Sequence, residues 1–192
     1  MKYNSILRAV VLLLLIVAGC RTAATTTGTG SAGAEAKSAD ETTIYVVRHA
    51  EKDTSVPNNP DPDLTEEGRA RANELRMLLQ QEKIDALYTT NYKRTKNTLQ
   101  PLASERGLEL FTYDSKDYQG LRQRIMAEQK GKTIVVAGHS NTLIPLVEAF
   151  GVEKPFEQID ESEYYYLFKV VVAKDGQAQL VVSRYGNLSR QE

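Results

Sequence analysis

The chain is poor in the residues that would mark most alternative chemistries. It has one cysteine, Cys20, so no intrachain disulfide can form and no thiol site is left in the body. A domain without disulfides relies on its core. Histidine is scarce as well, with two in the whole chain. They are far apart, with no HxxxH or HxH spacing, which weighs against a metal-dependent hydrolase built on His49, His139, Glu51 and an aspartate. Basic residues are not in excess: 24 Lys and Arg stand against 25 Asp and Glu. A nucleic-acid surface would show as a strong basic excess, so no nucleic-acid partner is expected. No apolar run reaches the about 20 residues that a membrane-spanning helix requires.

The N-terminus is read as an address. Lys2 and Arg8 form a short basic region, residues 9–18 an apolar segment, and Gly19 and Cys20 a small-residue processing site. Val17-Ala18-Gly19-Cys20 resembles the bacterial lipobox. That resemblance implies a lipoprotein signal peptide over residues 1–19, cleavage before Cys20 and lipidation of its sulfur. Residues 20–41 then carry the lipidated cysteine and a Thr-, Ala-, Gly- and Ser-rich stretch. With almost no bulky apolar side chain to bury, it reads as a flexible tether. Arg21 stands where an aspartate would favour inner-membrane retention. The expected location is therefore the bacterial cell envelope, lipid-anchored to the outer membrane and facing the periplasm.

Residues 42–192 form one domain-sized body. The pattern alternates strand and helix. Strands are expected over 43–47, 86–89, 108–112 and 133–137. Helices are expected from Thr65 with Leu75, Leu78 and Leu79 as the apolar stripe, over 94–106 with Gly107 as the stop, over 120–129, and over 141–150. Pro101 predicts a bend or a boundary near Gln100. The rhythm then changes to strands over 164–172 and 179–183 joined around Asp175-Gly176, a hairpin. The Tyr164-Tyr165-Tyr166 run is read as strand and edge packing. The fold class is α/β, a three-layer α/β/α sandwich whose mostly parallel sheet ends in a C-terminal antiparallel hairpin.

His49 and His139 each follow an apolar strand run, and in open α/β sheets ligands bind beyond the carboxyl ends of the strands. Three segments lie in order: Arg48-His49-Ala50-Glu51 at a strand end, Tyr88 to Thr98 with Arg94 at a helix start, and Gly138-His139-Ser140-Asn141. Together with Leu64-Thr65-Glu66-Glu67-Gly68, this set resembles the histidine phosphatase superfamily, which includes phosphoglycerate mutase. The resemblance implies that Arg48, His49, Arg94 and His139 form a phosphate pocket and that His49 is the nucleophile.

The chemistry is coherent in its own terms. Two guanidinium groups can hold a phosphate monoester by forked, charge-assisted hydrogen bonds. A neutral imidazole at His49 can attack phosphorus to give a phosphohistidine. His139 can donate to a phosphoryl oxygen, and helix-start amides add to the field. The scheme calls for no cofactor and no metal. Glu51 fits either a residue that orients the pocket or a surface ion pair. Asn141 fits a helix N-cap as well as a phosphate contact.

A proton donor for the leaving oxygen is harder to place. The segment before the fourth strand, GLELFTYDSKDYQGL, lacks the Trp- and Gly-containing acidic loop typical of the mutases. Asp114 is the first candidate acid, then Asp117 and Glu109, each of which also suits a turn or cap. The expected activity is a metal-independent phosphomonoester hydrolase acting through a phosphohistidine, exported and lipid-anchored. Its substrate is a phosphorylated small molecule or a phosphoprotein. A non-catalytic phosphate-binding lipoprotein and a phosphoglycerate mutase-type phosphotransferase are the alternatives.

Overall fold

A six-stranded sheet in the order β3-β2-β4-β1-β5-β6 organises the domain. The structure is a computed structural model and describes residues 40–186. The expected signal peptide, Cys20 and the expected tether before Asp40 lie outside those residues, as do residues 187–192. The elements run β1 (Thr42–Arg48), α1 (Glu66–Leu78), β2 (Ala86–Thr89), α2 (Lys93–Arg106), β3 (Leu110–Thr112), α3 (Tyr118–Glu128), β4 (Thr133–Gly138), α4 (Ser140–Ala149), β5 (Tyr166–Val172) and β6 (Ala178–Arg184). Strands β1 to β4 are parallel to one another, while β5 pairs antiparallel with β1 and β6 antiparallel with β5. The fold class is thus the expected α/β sandwich with its hairpin.

Alternation along each strand divides the core between two helix layers. Ile44 and Val46 of β1, with Ile134 and Val136 of β4, pack against Leu121, Ile125, Leu143 and Val147 of α3 and α4. Tyr45 and Val47, with Val135 and Ala137, pack against Leu75, Leu79, Leu99 and Leu102 of α1 and α2. Strands buried on both faces must be apolar throughout, which is why they read as continuous runs rather than as alternating patterns.

Local chemistry sets the helix ends. Thr65 caps α1 by accepting from the Gly68 amide, with Glu66 and Glu67 in the first turn. Gly107 ends α2 in the left-handed region, φ 62°. Helix α2 runs through Pro101 with no boundary at Gln100. One hydrogen bond is forfeited there, and burial of Leu99 and Leu102 on either side holds the helix. Other boundaries shift. Leu78, expected in the apolar stripe, is exposed as the last residue of α1, while Leu75 and Leu79 carry the burial. Strand β3 starts at Leu110 and β5 at Tyr166, so Tyr164 and Tyr165 precede the strand they were expected to join. Helix α3 starts at Tyr118 because Asp117 caps it by accepting from the Gly120 amide.

Candidate active site

Parallel pairing of β1 with β4 places the two histidines side by side. Arg48 is in register with Gly138, so His49 and His139 are the next residues out on adjacent strands. The His49 amide donates to the Gly138 carbonyl at 2.9 Å, and the imidazole centroids are 5.4 Å apart. Helices α1 and α2 lie on one face and α3 and α4 on the other. The carboxyl ends of β1 and β4 therefore open into the crevice where ligands bind in such sheets. A cavity of about 540 Å³ lies there, lined by His49, Arg94, His139, Ser140, Asn141, Lys52, Tyr92 and Glu161 among others.

His49 is held as a neutral imidazole. Its Nδ1 is 2.8 Å from the Ala50 carbonyl oxygen. A carbonyl only accepts, so Nδ1 carries the proton and Nε2 keeps its lone pair. Burial, together with the nearby Arg48, His139 and Arg94, pushes its pKa down to about 3 against the opposing pull of the Ala50 hydrogen bond. His139 is likewise lowered to about 4, first by burial and then by Arg94, Arg48 and Lys52. Its Nε2 lies 3.1 Å from the Thr90 hydroxyl, which contacts the Thr95 hydroxyl at 2.8 Å. The His139 amide donates to the Thr142 hydroxyl at 3.0 Å. His139 itself occupies the N-cap position of α4, so Asn141 is not the cap; it sits in the first turn and lines the cavity.

The two arginines are held differently. Arg48 is almost completely buried, and its Nη1 donates to the carbonyls of Asp160, Glu161 and Glu163 at 2.9, 3.0 and 3.1 Å. Its Nη2 donates to Glu161, and its guanidinium stacks 4.1 Å from the Tyr164 ring centroid. Arg94 stands in the first turn of α2, where the macrodipole disfavours a cation; the turn has no acid of its own, and the Asp61 carboxylate accepts from the Lys93 amide at its start, 2.8 Å away. Burial lowers its pKa as well, and its guanidinium lies 4.3 Å from the Tyr92 ring. The Nε atoms of both arginines are buried with no hydrogen-bond partner. Arg94 lines the cavity and Arg48 does not, and buried cationic donors without a partner are suited to an anionic ligand.

Glu51 takes a different part. Both its oxygens accept from Arg71 Nε, at 2.8 and 3.0 Å, and Arg71 Nη1 donates on to the Tyr185 carbonyl. Arg71 is buried, so this is an inward ion pair between the loop after β1 and α1 rather than a surface pair. The candidate acids are not brought to the cavity. Asp114 is exposed, accepts from the Lys116 amide in a turn and does not line the cavity, although its neighbours Ser115 and Lys116 do. Asp117 caps α3, and Glu109 precedes β3, at the end of the sheet away from the histidines. The one carboxylate among the lining residues is Glu161, which sequence reasoning missed together with Thr90, Lys52 and Tyr164. Thr90 could have been found, since it directly follows β2 at the same edge of the sheet. Among the described residues, no three His, Cys, Asp or Glu side chains gather as a metal-holding group.

Residues 44–115 match the family model of the histidine phosphatase superfamily, branch 1. That stretch includes Arg48, His49 and Arg94, and the sheet register adds His139. No curated protein sequence matches the chain. Among solved structures, the protein histidine phosphatase SixA complexed with tungstate is similar, with a TM-score of 0.61 at 15% identity over 74% of this chain and 96% of that one. Mycobacterial glucosyl-3-phosphoglycerate phosphatase has a TM-score of 0.62 at 12% identity, over 76% of this chain and 100% of that one. Phosphoserine phosphatase from Entamoeba histolytica, in complex with 3-phosphoglyceric acid, has a TM-score of 0.59 at 15% identity, over 77% and 98%. At these identities the likeness is one of fold. The family model covers residues 44–115 of the chain, and the solved structures share its fold.

Proposed function

We propose that this protein is a metal-independent phosphomonoester hydrolase that works through a phosphohistidine on His49. The observation that carries the reading is the state of His49. Its imidazole is neutral, its Nδ1 proton is committed to the Ala50 carbonyl, and its Nε2 is left to attack beside two guanidinium groups with open Nε donors. Phosphatases among the structural neighbours, one of them holding tungstate, support the same class.

In the first step Nε2 attacks phosphorus, the N–P bond forms and the ester P–O bond breaks. The leaving oxygen departs with the bonding pair and takes up a proton from solvent, which the attacking water replaces in the second step. Water then attacks phosphorus, the N–P bond breaks, and the pair returns to Nε2 with release of inorganic phosphate. Phosphoryl transfer asks chiefly for positioning and charge stabilisation. Arg94, Arg48, His139 and the first turn of α4 supply these around the cavity. The substrate is a phosphorylated small molecule or phosphoprotein. The lipobox-like Val17-Ala18-Gly19-Cys20 supports export and lipid anchoring through Cys20 to the outer membrane, facing the periplasm.

A second reading, a non-catalytic phosphate-binding lipoprotein, is favoured by the placement of Asp114, Asp117 and Glu109 outside the cavity lining. Hydrolysis of p-nitrophenyl phosphate by the full chain, with EDTA present, separates the two. Wild-type turnover that His49→Ala abolishes, with acid-labile phosphate trapped on the wild type, supports the hydrolase. Phosphate binding without turnover supports the binding protein, and activity lost to EDTA and restored by zinc overturns the proposed mechanism.

A further inference from the structure

Glu161 stands among the donors that a phosphoryl group needs. Its Oε2 accepts from Arg48 Nη2 at 2.9 Å and lies 3.8 Å from Lys52 Nζ, and its Oε1 accepts from the Ser140 hydroxyl at the start of α4. The Ser140 hydrogen bond, Arg48 and Lys52 hold this carboxyl below the usual range, so it is an anion at neutral pH. Arg48 has little else to offer a ligand. Its Nη1 is taken by three backbone carbonyls of the 160–163 loop, which leaves Nε, with no partner, and Nη2, occupied by Glu161.

The backbone and the side chain of Glu161 are constrained very differently. Its carbonyl is one of the three that clamp Arg48, and the loop is tied further. The Asp160 amide donates to Glu163, whose carboxylate accepts from the hydroxyls of Tyr165 and Tyr166. The Glu161 side chain, in contrast, is 69% exposed. Rotation about its own bonds would free Arg48 Nη2 and Ser140 without moving the loop. A phosphate dianion and this carboxylate cannot share those donors, because like charges at such range repel.

We propose that Glu161 is an intramolecular competitor for the phosphate site. Its carboxylate holds Arg48 and Ser140 while the site is empty, yields to the incoming phosphoryl group, and returns as inorganic phosphate leaves. This rests on the phosphate-site reading above. The competitor keeps the Arg48 fork desolvated and oriented between turnovers, and it weakens the hold on a small anionic product.

The test measures inorganic phosphate binding by calorimetry, and KM and kcat on p-nitrophenyl phosphate and on an alkyl phosphate, for the full chain as wild type, Glu161→Gln and Glu161→Ala. Removing the competing charge is expected to tighten phosphate binding about tenfold, a change worth about 1.4 kcal/mol. KM should fall in parallel and inhibition by phosphate should strengthen. Two variants of different size guard against a local packing effect in either one. Phosphate affinity unchanged or weaker in both variants overturns the proposal. A loss of kcat confined to poor leaving groups, with affinity unchanged, also overturns it and marks Glu161 as a proton donor instead. If neither wild type nor variant binds phosphate, the phosphate site itself falls, and this inference with it.

Discussion

Thr90 Oγ1 lies 3.1 Å from His139 Nε2, which links the residue after β2 to the residue after β4. Thr90 in turn contacts the Thr95 hydroxyl in the first turn of α2, near Arg94. The orientation of one imidazole is thereby coupled to the start of the helix that carries one of the arginines. Replacing Thr90 with Val keeps the β-branched shape and removes the hydroxyl. A lost hydrogen bond of this kind is worth about 1 kcal/mol. A several-fold fall in kcat/KM is expected, with Thr90→Ser retaining most of the activity. Steady-state kinetics of the three proteins decide it; equal activity in all of them would mean that Thr90 has no positioning role.

Acid should destabilise the folded domain through its histidines before its carboxylates titrate. His49 has an ordinary value of 6.5 when exposed and about 3 when folded. Between those values the unfolded chain binds the extra proton. Stability contributed by the neutral imidazole is therefore full above pH 6.5 and is lost progressively as pH falls towards 3. For His49 the loss between pH 7 and pH 5 is on the order of 1–2 kcal/mol. Urea unfolding at the two pH values should show it, and His49→Gln should flatten the slope. A wild-type midpoint that stays put between pH 7 and pH 5 rules the effect out. Added phosphate should oppose the loss, because a bound dianion favours the charged imidazoles.

Gly68 is required by close approach rather than by an unusual backbone angle. A Cβ there would run into the carbonyl oxygen of Glu51. That carbonyl also accepts from the Thr65 amide at 2.9 Å, so the start of α1 is seated directly on the loop that follows His49. Gly68→Ala is expected to cost about 1–3 kcal/mol as an overpacking change. Because the strain falls two residues from His49, kcat/KM should drop as well. Thermal unfolding together with kinetics checks both effects. A variant with wild-type stability and activity would show that the loop yields freely.

How much of this was legible in the sequence depended on the range of the interactions involved. The apolar runs before His49 and His139 marked strands buried on both faces, and the stop at Gly107 and the cap at Thr65 were visible because caps are local. Pairing of β1 with β4, which sets the two imidazoles together, was consistent with the alternating pattern but not spelled out by it. Glu161 was not visible, because its link to Arg48 spans 113 residues and crosses from the loop before β5 to the end of β1. Tyr164 was hidden by its neighbours: three consecutive tyrosines look like strand, yet the first turns onto the Arg48 guanidinium. Asp114 was weighed as an acid because it lies in the expected segment, and its use as a turn acceptor for the Lys116 amide depended on a backbone path that periodicity does not report.

Cys20 is the one residue through which the lipobox reading can be tested cleanly. Each buried methylene of an attached acyl chain adds about 0.8 kcal/mol, so two or more chains hold a protein on a membrane independently of salt. Cys20→Ser removes the acceptor sulfur and leaves the rest of the chain unchanged. The wild type is expected in the membrane pellet at high salt, and the variant is expected to lose its lipid-dependent retention. Fractionation with metabolic labelling by a radioactive fatty acid measures both. Retention of an unlabelled Cys20→Ser protein at high salt would show that something other than acylation anchors it.

Asp114 separates a mechanism that draws its proton from the 107–121 segment from one that does not. The side chain is exposed and accepts from the Lys116 amide at 2.9 Å, while Lys116 and Ser115 face the cavity. Asp114→Asn keeps an acceptor oxygen for that amide and removes the acid. If the carboxyl only shapes the turn, kcat/KM should stay within about twofold for both p-nitrophenyl phosphate and an alkyl phosphate, since such surface changes are normally small. If it donates a proton, the alkyl substrate should suffer most. A poor leaving group depends on protonation in the transition state, whereas nitrophenolate leaves without it. Comparing the two substrates with the one variant therefore reads out proton donation separately from turn geometry. A selective loss on the alkyl ester would return Asp114 to the site as its acid, reached by movement of the loop that carries Ser115 and Lys116.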